Sequence, residues 1–222
     1  MMTVASWWNA WKPKRAAVLL GAGGLLLVCL SVSCGGVPKT YYYTLRTPPP
    51  PSAGDPRTGY ALGIEHFRAP EMLRDDRIVY YQSPTEMNYY EHHRWSSDPP
   101  TLLTESTAQW IDNAGIFGQV VMLPSRQPVD YILRGRVGHF EEVDYEAGGK
   151  ARVSLELTLV RARDHKVVWS GRNAADAPLE GKGMAGVANA VNAAVDQLLR
   201  GLLPGLVAQV EQDFKASQGQ SQ

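Results

Sequence analysis

Cysteine is nearly absent. The 222 residues contain two, Cys29 and Cys34. Two thiols build neither a disulfide framework nor a four-thiolate zinc site. Net charge is absent too, with 22 basic residues against 22 acidic. Without a basic surplus the chain lacks the counterion-releasing surface of a non-specific nucleic-acid binder. Histidine is sparse, and only His92 and His93 adjoin one another. Neighbours on a strand face opposite sides, so this pair is poorly placed to share a metal and reads as loop surface. No phosphate loop is present, because Gly181-Lys182 lacks both the upstream glycine and the following Ser/Thr. Neither G-x-S-x-G nor H-E-x-x-H occurs. The acidic pairs Glu141-Glu142 and Asp75-Asp76 read as solvated loop edges rather than paired acid/base groups. These absences point away from an enzyme, a metal protein or a cofactor protein. A hydrophobic share of 44% and a charged share of 20% still require a folded core.

What is present is unevenly distributed. The first 33 residues carry Lys12, Lys14 and Arg15, no acid, and three of the six tryptophans. Ala16 to Val32 is uncharged and rich in Leu, Val, Ala and Gly. A charged start, an apolar middle and small residues at the end form the layout of an export signal. The apolar run of 17 residues is short for a spanning helix, which needs about 20. It ends Leu30-Ser31-Val32-Ser33-Cys34-Gly35-Gly36.

Beyond it the residues divide into strands and helices by periodicity. Thr40–Arg46 is aromatic and β-prone. Residues 47–56 hold four consecutive prolines and read as an exposed loop, or alternatively a Pro-rich ligand. Gly59–Phe67, Arg77–Gln82 and Thr85–Tyr90 read as strands, the last two joined by a turn at Ser83-Pro84. Pro70–Leu73 reads as a helical turn. Asp98-Pro99-Pro100 opens a helix with a capping carboxylate and prolines where no N–H partner exists. Leu103, Thr107, Trp110, Ile111 and Ala114 form its apolar face, and Gly115 stops it. Strands follow at Phe117–Leu123, Val129–Asp144, Lys150–Arg163 and Lys166–Gly171. In the third of these Ala151, Val153, Leu155, Leu157 and Leu159 alternate with polar residues. Met184, Val187, Ala188, Val191, Val195, Leu198, Leu199 and Leu202 recur at helical spacing. Pro204 then either kinks this helix or starts a second segment with Leu206, Val207, Val210 and Phe214. Gln218–Gln222 is a polar tail.

The expected fold is one α/β domain of the α+β kind, a mixed, largely antiparallel sheet covered by two amphipathic helices. Seven of ten tyrosines fall on three of its strands, as Tyr41-Tyr42-Tyr43, Tyr80-Tyr81 and Tyr89-Tyr90. One face of such a strand packs in the core. The other is either plain sheet surface or the amphipathic surface enriched at interfaces.

The sequence around Cys34 resembles the lipobox of bacterial lipoproteins, with Ser33 before the cut and Ser31 where Leu is usual. The resemblance implies cleavage before Cys34 and a covalent lipid on it. The rival is an uncleaved signal anchor. A larger set then resembles the ABC-type transport auxiliary lipoproteins, the PqiC-type family. It comprises Tyr41–Leu45, Arg77–Tyr80, Tyr89-Tyr90 with Arg94-Trp95, Pro100, Gly115–Phe117, Tyr131–Gly135, Val168-Trp169 and the Ala-rich terminal helix.

That resemblance implies residues 1–33 as a cleaved signal and 34–39 as a lipidated tether. Residues 40–217 would be a periplasmic domain, and 218–222 a tail. The mature 189 residues would carry 19 basic and 22 acidic groups. It also implies an outer-membrane anchor, an MCE-domain partner and transport of lipids or other hydrophobic molecules. A homo-oligomer is compatible with it; a nucleic-acid partner and a cofactor are not expected. No catalytic residue carries over. Tyr42, Tyr89, Arg94 and Trp95 are the candidate partner contacts. A lipid- or glycolipid-binding lipoprotein acting without a transporter, and an envelope hydrolase, are the alternatives.

Overall fold

The computed structural model describes residues 38–46, 57–146, 148–181 and 183–219. The export segment, Cys34 and the Pro-rich stretch 47–56 lie outside the described residues. The chain divides into two units, Met1–Lys39 and Thr40–Gln222, and every described element belongs to the second.

The strands are β1 (Tyr41–Tyr43), β2 (Ala61–Ile64), β3 (Arg77–Ser83), β4 (Glu86–Trp95), β5 (Gln119–Met122), β6 (Tyr131–Val143), β7 (Lys150–Arg161) and β8 (Val167–Pro178). A 3₁₀ turn at Glu71–Leu73 precedes β3. Helix α1 (Pro99–Asn113) follows β4, and helix α2 (Met184–Gly219) ends the domain. All eight strands form one mixed sheet. β6 is its hub. One edge of β6 pairs antiparallel with β7 from Tyr131↔Arg161 to Val143↔Lys150. The other edge takes two parallel strands end to end, β2 at Tyr131–Leu133 and β3 at Glu141–Val143. β4 and β1 extend the sheet beyond β3, β5 lies beyond β2, and β8 beyond β7. The long ladders are antiparallel and the short ones parallel, as expected of a mixed, largely antiparallel sheet.

Both helices pack into one core with the sheet. Ala151, Val153, Leu155, Leu157 and Leu159 of β7 are buried there with Leu133, Val137 and Phe140 of β6. A bulge between Val137 and His139 keeps Phe140 on the core side after an odd step. Asp98 caps α1 as its sequence predicts, accepting from the Thr101 backbone N–H at 3.0 Å and its hydroxyl at 2.9 Å. All five residues of the expected apolar face of α1 are buried. Gly115 follows α1 with φ of 62°, a conformation that favours glycine. α2 is a single helix running through Pro204, which resolves the two readings of that proline. Its stripe continues past the proline through Leu206 and Val210, both fully buried. Gln218, expected in the tail, is helical.

β2 and β5 are shorter than expected, Ala61–Ile64 within Gly59–Phe67 and Gln119–Met122 within Phe117–Leu123, and three further strands differ in length for a visible reason. β1 stops at Tyr43 because Asn192 of α2 takes over its backbone. The Asn192 side chain accepts from the Arg46 N–H and donates to the Thr44 carbonyl. β4 continues five residues past Tyr90 because its second edge is occupied by β1. The His92-His93 pair therefore lies within a strand, not a loop. β8 continues to Pro178 because β7 offers a full-length edge. Its Ala174–Ala177 stretch has little β propensity of its own, so the neighbour decides.

Gly135 sits where β6 crosses beneath Phe67, and a Cβ there would overlap the ring. Gly135→Ala is expected to destabilise the domain by about 1–3 kcal/mol, the usual cost of overpacking a core. Urea unfolding measures it, and an unchanged midpoint would mean that the ring yields freely.

Candidate functional site

The sheet brings together three of the four candidate contacts and removes the fourth. Tyr42 on β1 lies opposite Arg94 on β4, and Arg94 lies opposite Arg77 on β3. Registered neighbours point to the same face. Arg77 places its guanidinium 3.8 Å from the centre of the Tyr89 ring, a cation–π contact. Asp75 and Asp76 hold the two arginines, through Arg77 Nε–Oδ2 at 2.7 Å and Arg94 Nη1–Oδ1 at 2.6 Å. This acidic pair is thus on a loop edge, as expected, and orients the cations beside it. Tyr42 is 65% exposed. Trp95 is 1% exposed and packs edge-on against Phe140 at 5.2 Å. The expectation of Trp95 as a partner contact is therefore corrected. β4 turns this ring inward, and Arg94 outward, because successive side chains alternate.

On the other side of β1 the rings stack. Tyr41 lies 5.4 Å from His93, and the Tyr43 hydroxyl is 3.0 Å from His93 Nδ1. Tyr90 meets His93 edge-on and Tyr80 at 4.6 Å. The Tyr90 hydroxyl donates to Glu142 at 2.7 Å. Glu141 and Glu142 are 3% and 4% exposed, so the expectation of a solvated loop edge is corrected too. The pair lies in the middle of the sheet, flanked by β3 and β7. Burial raises both carboxyls above the usual carboxylate range. The Tyr90 hydrogen bond opposes this at Glu142, and His139 with the Phe140 N–H opposes it at Glu141. Burial, then the bond to Glu142, raises the Tyr90 hydroxyl as well.

A second polar group joins β6, β7 and α2. Arg161 Nη2 donates to Asp213 at 2.6 Å, and the Tyr131 hydroxyl donates to Asp213 at 2.7 Å. Burial disfavours the Asp213 charge, but those two bonds outweigh it and hold the group below the usual carboxylate range. Tyr60 packs edge-on against both Tyr131 and Phe214. Tyr60, Tyr131, Arg161 and Asp213 border a cavity of about 520 Å³ that Arg163 also lines. No signal in the sequence joins Tyr131, Arg161 and Asp213, because they meet only after the sheet and α2 dock. Among the described residues no group of three or more His, Cys, Asp or Glu side chains is placed to hold a metal ion. Among them, too, no helix is long and apolar enough to cross a membrane.

An open mixed sheet with its helices on one core, and an aromatic and arginine surface on β1, β4 and β3, defines a single α+β domain. Residues 43–202 match the model of the ABC-type transport auxiliary lipoprotein component, and the chain belongs to that family. Membership makes it a transport-auxiliary lipoprotein of the cell envelope. The fold is shared with protein XCC0632 from Xanthomonas campestris. That structure is 24% identical, with a TM-score of 0.67 over 79% of this chain and 98% of the other. A second structure, of an uncharacterized protein, is 16% identical, with a TM-score of 0.56 over 74% and 96%. The PelC dodecamer from Paraburkholderia phytofirmans is more distant, at 15% identity and a TM-score of 0.43 over 69% and 92%. No curated protein matches the sequence.

The buried carboxylates give the stability a definite pH dependence. A raised carboxyl binds its proton more tightly in the folded state than in the unfolded chain. Its contribution is favourable below the unfolded value of 4.5 and is lost as pH rises through the folded value. Glu142→Gln keeps an acceptor for Tyr90 and removes the charge. It is expected to raise Tm at pH 7 by a few degrees and to change it little at pH 4. Thermal unfolding at the two pH values checks this, and an equal shift at both would exclude titration as the cause.

Proposed function

We propose that the chain is the lipid-anchored auxiliary subunit of an ABC transport system built on an MCE-domain protein. It moves lipids or other hydrophobic molecules across the envelope and supports outer-membrane integrity. Its family membership over residues 43–202 is the observation that carries this reading. Acylated Cys34 anchors it in the outer membrane, facing the periplasm. Each acyl methylene contributes about 0.8 kcal/mol of membrane affinity, so two or more chains hold it stably. From Cys34 to Thr40 the tether is short, roughly 20 Å when extended at about 3.4 Å per residue. The surface near β1 therefore stays close to the membrane.

Tyr42, Arg94, Arg77 and Tyr89 form the face that meets the MCE protein. Exposed tyrosine and oriented arginine supply large contact area at low entropic cost, which is the composition of interface centres. No cofactor takes part. The alternative of a lipid- or glycolipid-binding lipoprotein without a transporter calls for a deep apolar cavity. The cavity at Tyr131 is of mixed character, with Asp130, Arg161, Arg163 and Asp213 set among Tyr60, Val129, Ala162 and Ala216.

Two measurements test the proposal. The mass of the mature N-terminus is expected to show cleavage before Cys34 and acylation of it. An intact Met1 or a free Cys34 thiol would remove the anchor. Co-purification of the MCE protein from detergent-solubilised membranes is expected to fall about tenfold or more in Tyr42→Ala/Arg94→Ala, as for loss of interface hot spots. Tm of the variant should stay within a few degrees of wild type. Undiminished co-purification by a folded variant would move the interface elsewhere, and none with the wild-type chain would remove the partner.

A further inference from the structure

The charges on the sheet are arranged in rows, and one row does not balance. Arg68 bridges to Arg136 of β6, Arg136 lies opposite Glu156 of β7, and Glu156 lies opposite Arg172 of β8. Registered neighbours about 5 Å apart share a face, so three cations and one carboxylate stand in line across the sheet. The carboxylate is taken by Arg172, with Nη2–Oε2 at 2.7 Å. Arg134, one step along β6, is held by Glu65 at 3.0 Å. Among the described residues neither Arg68 nor Arg136 has a carboxylate partner. Two like charges directly opposite one another are destabilising, and the fold supplies no anion between them. A neighbouring row, Glu141, Arg152 and Asp176, contains its own carboxylates, with Arg152 Nε 3.1 Å from Asp176.

The unbalanced pair borders a surface cavity of about 450 Å³ that Glu65, His66, Arg134, Glu156 and Thr158 also line, its two carboxylates being held by Arg134 and Arg172. We infer that Arg68 and Arg136 form a binding site for a phosphate monoester, either free or carried on a lipid headgroup. Two adjacent guanidinium forks match its oxygens. A phosphate monoester carries about −1.5 to −2 at pH 7, which neutralises both cations where one carboxylate leaves a charge over. The cavity also leaves room for the group that bears the phosphate. This site uses none of the residues of the partner face, so it stands or falls independently of the MCE partner.

Calorimetric titration of the full chain in micelles of an uncharged detergent tests the site. One arm adds inorganic phosphate, and the other adds lysophosphatidic acid to the micelles. Saturable binding is expected in at least one arm. Phosphate alone would assign a soluble ligand, and lysophosphatidic acid alone a lipid one. Arg68→Ala/Arg136→Ala is expected to weaken binding about tenfold, as for loss of charge-assisted bonds. Glu156→Gln removes the competing carboxylate and is expected to tighten binding by about threefold or more, which a merely structural role would not do. It also decides the matter if the double variant fails to fold. No saturation in either arm overturns the proposal, as does binding indifferent to these substitutions. Saturation by a glutamate-rich peptide and by neither phosphate arm overturns it as well.

Discussion

Strand β6 is the constraint on which the domain depends. Its thirteen residues are hydrogen-bonded along both edges, to β7 on one side and to β2 and β3 in succession on the other. Every other strand pairs with β6 or reaches it through one or two intervening strands. Both helices meet the face that its Leu133, Val137 and Phe140 help to build. Shifting a strand by one residue sends its whole apolar set to the wrong face, so each of these pairings is tightly specified. The bulge after Val137 is part of the same requirement, since it restores the inward direction of Phe140.

The same strand gathers the charged groups of the domain. Glu141 and Glu142 are buried where β3 joins β6, Arg136 belongs to the unbalanced row, and Tyr131 reaches Asp213 of α2. Burial on a central strand is what raises the two carboxyls. The face proposed to meet a partner lies outside this centre, on the strands β1, β4 and β3. There Tyr42 is free of the core, and the Asp75–Asp76 loop fixes the directions of Arg77 and Arg94.

Much of the fold was legible where one residue type repeated with a clear period. The faces of β7 and α1 were read without ambiguity, and so was the Asp98 cap, while the stripe of α2 was legible but its continuity through Pro204 was not. The length of β8 was not, because Ala174–Ala177 is extended only through the edge that β7 presents. The candidate site was half legible. Tyr42, Tyr89 and Arg94 were grouped by their clustering in sequence, and the sheet gathers them around Arg77. Trp95 was grouped with them for the same reason, although alternation along a strand turns it from its neighbour. The row from Arg68 to Arg172 was invisible, since its four members are scattered over about a hundred residues.

The sequence by itself determined the class of domain, the faces of its longest elements, the resemblance to transport-auxiliary lipoproteins and the cysteine expected to carry lipid. These depend on local order, on periodicity, caps and a signal read along the chain. Tertiary structure alone decided which aromatic rings are exposed, which carboxylates are buried and which arginines stand without a counter-charge. Those properties belong to pairs of strands, and a pair exists only once register is set. Register depends on the whole core and is written in no short segment.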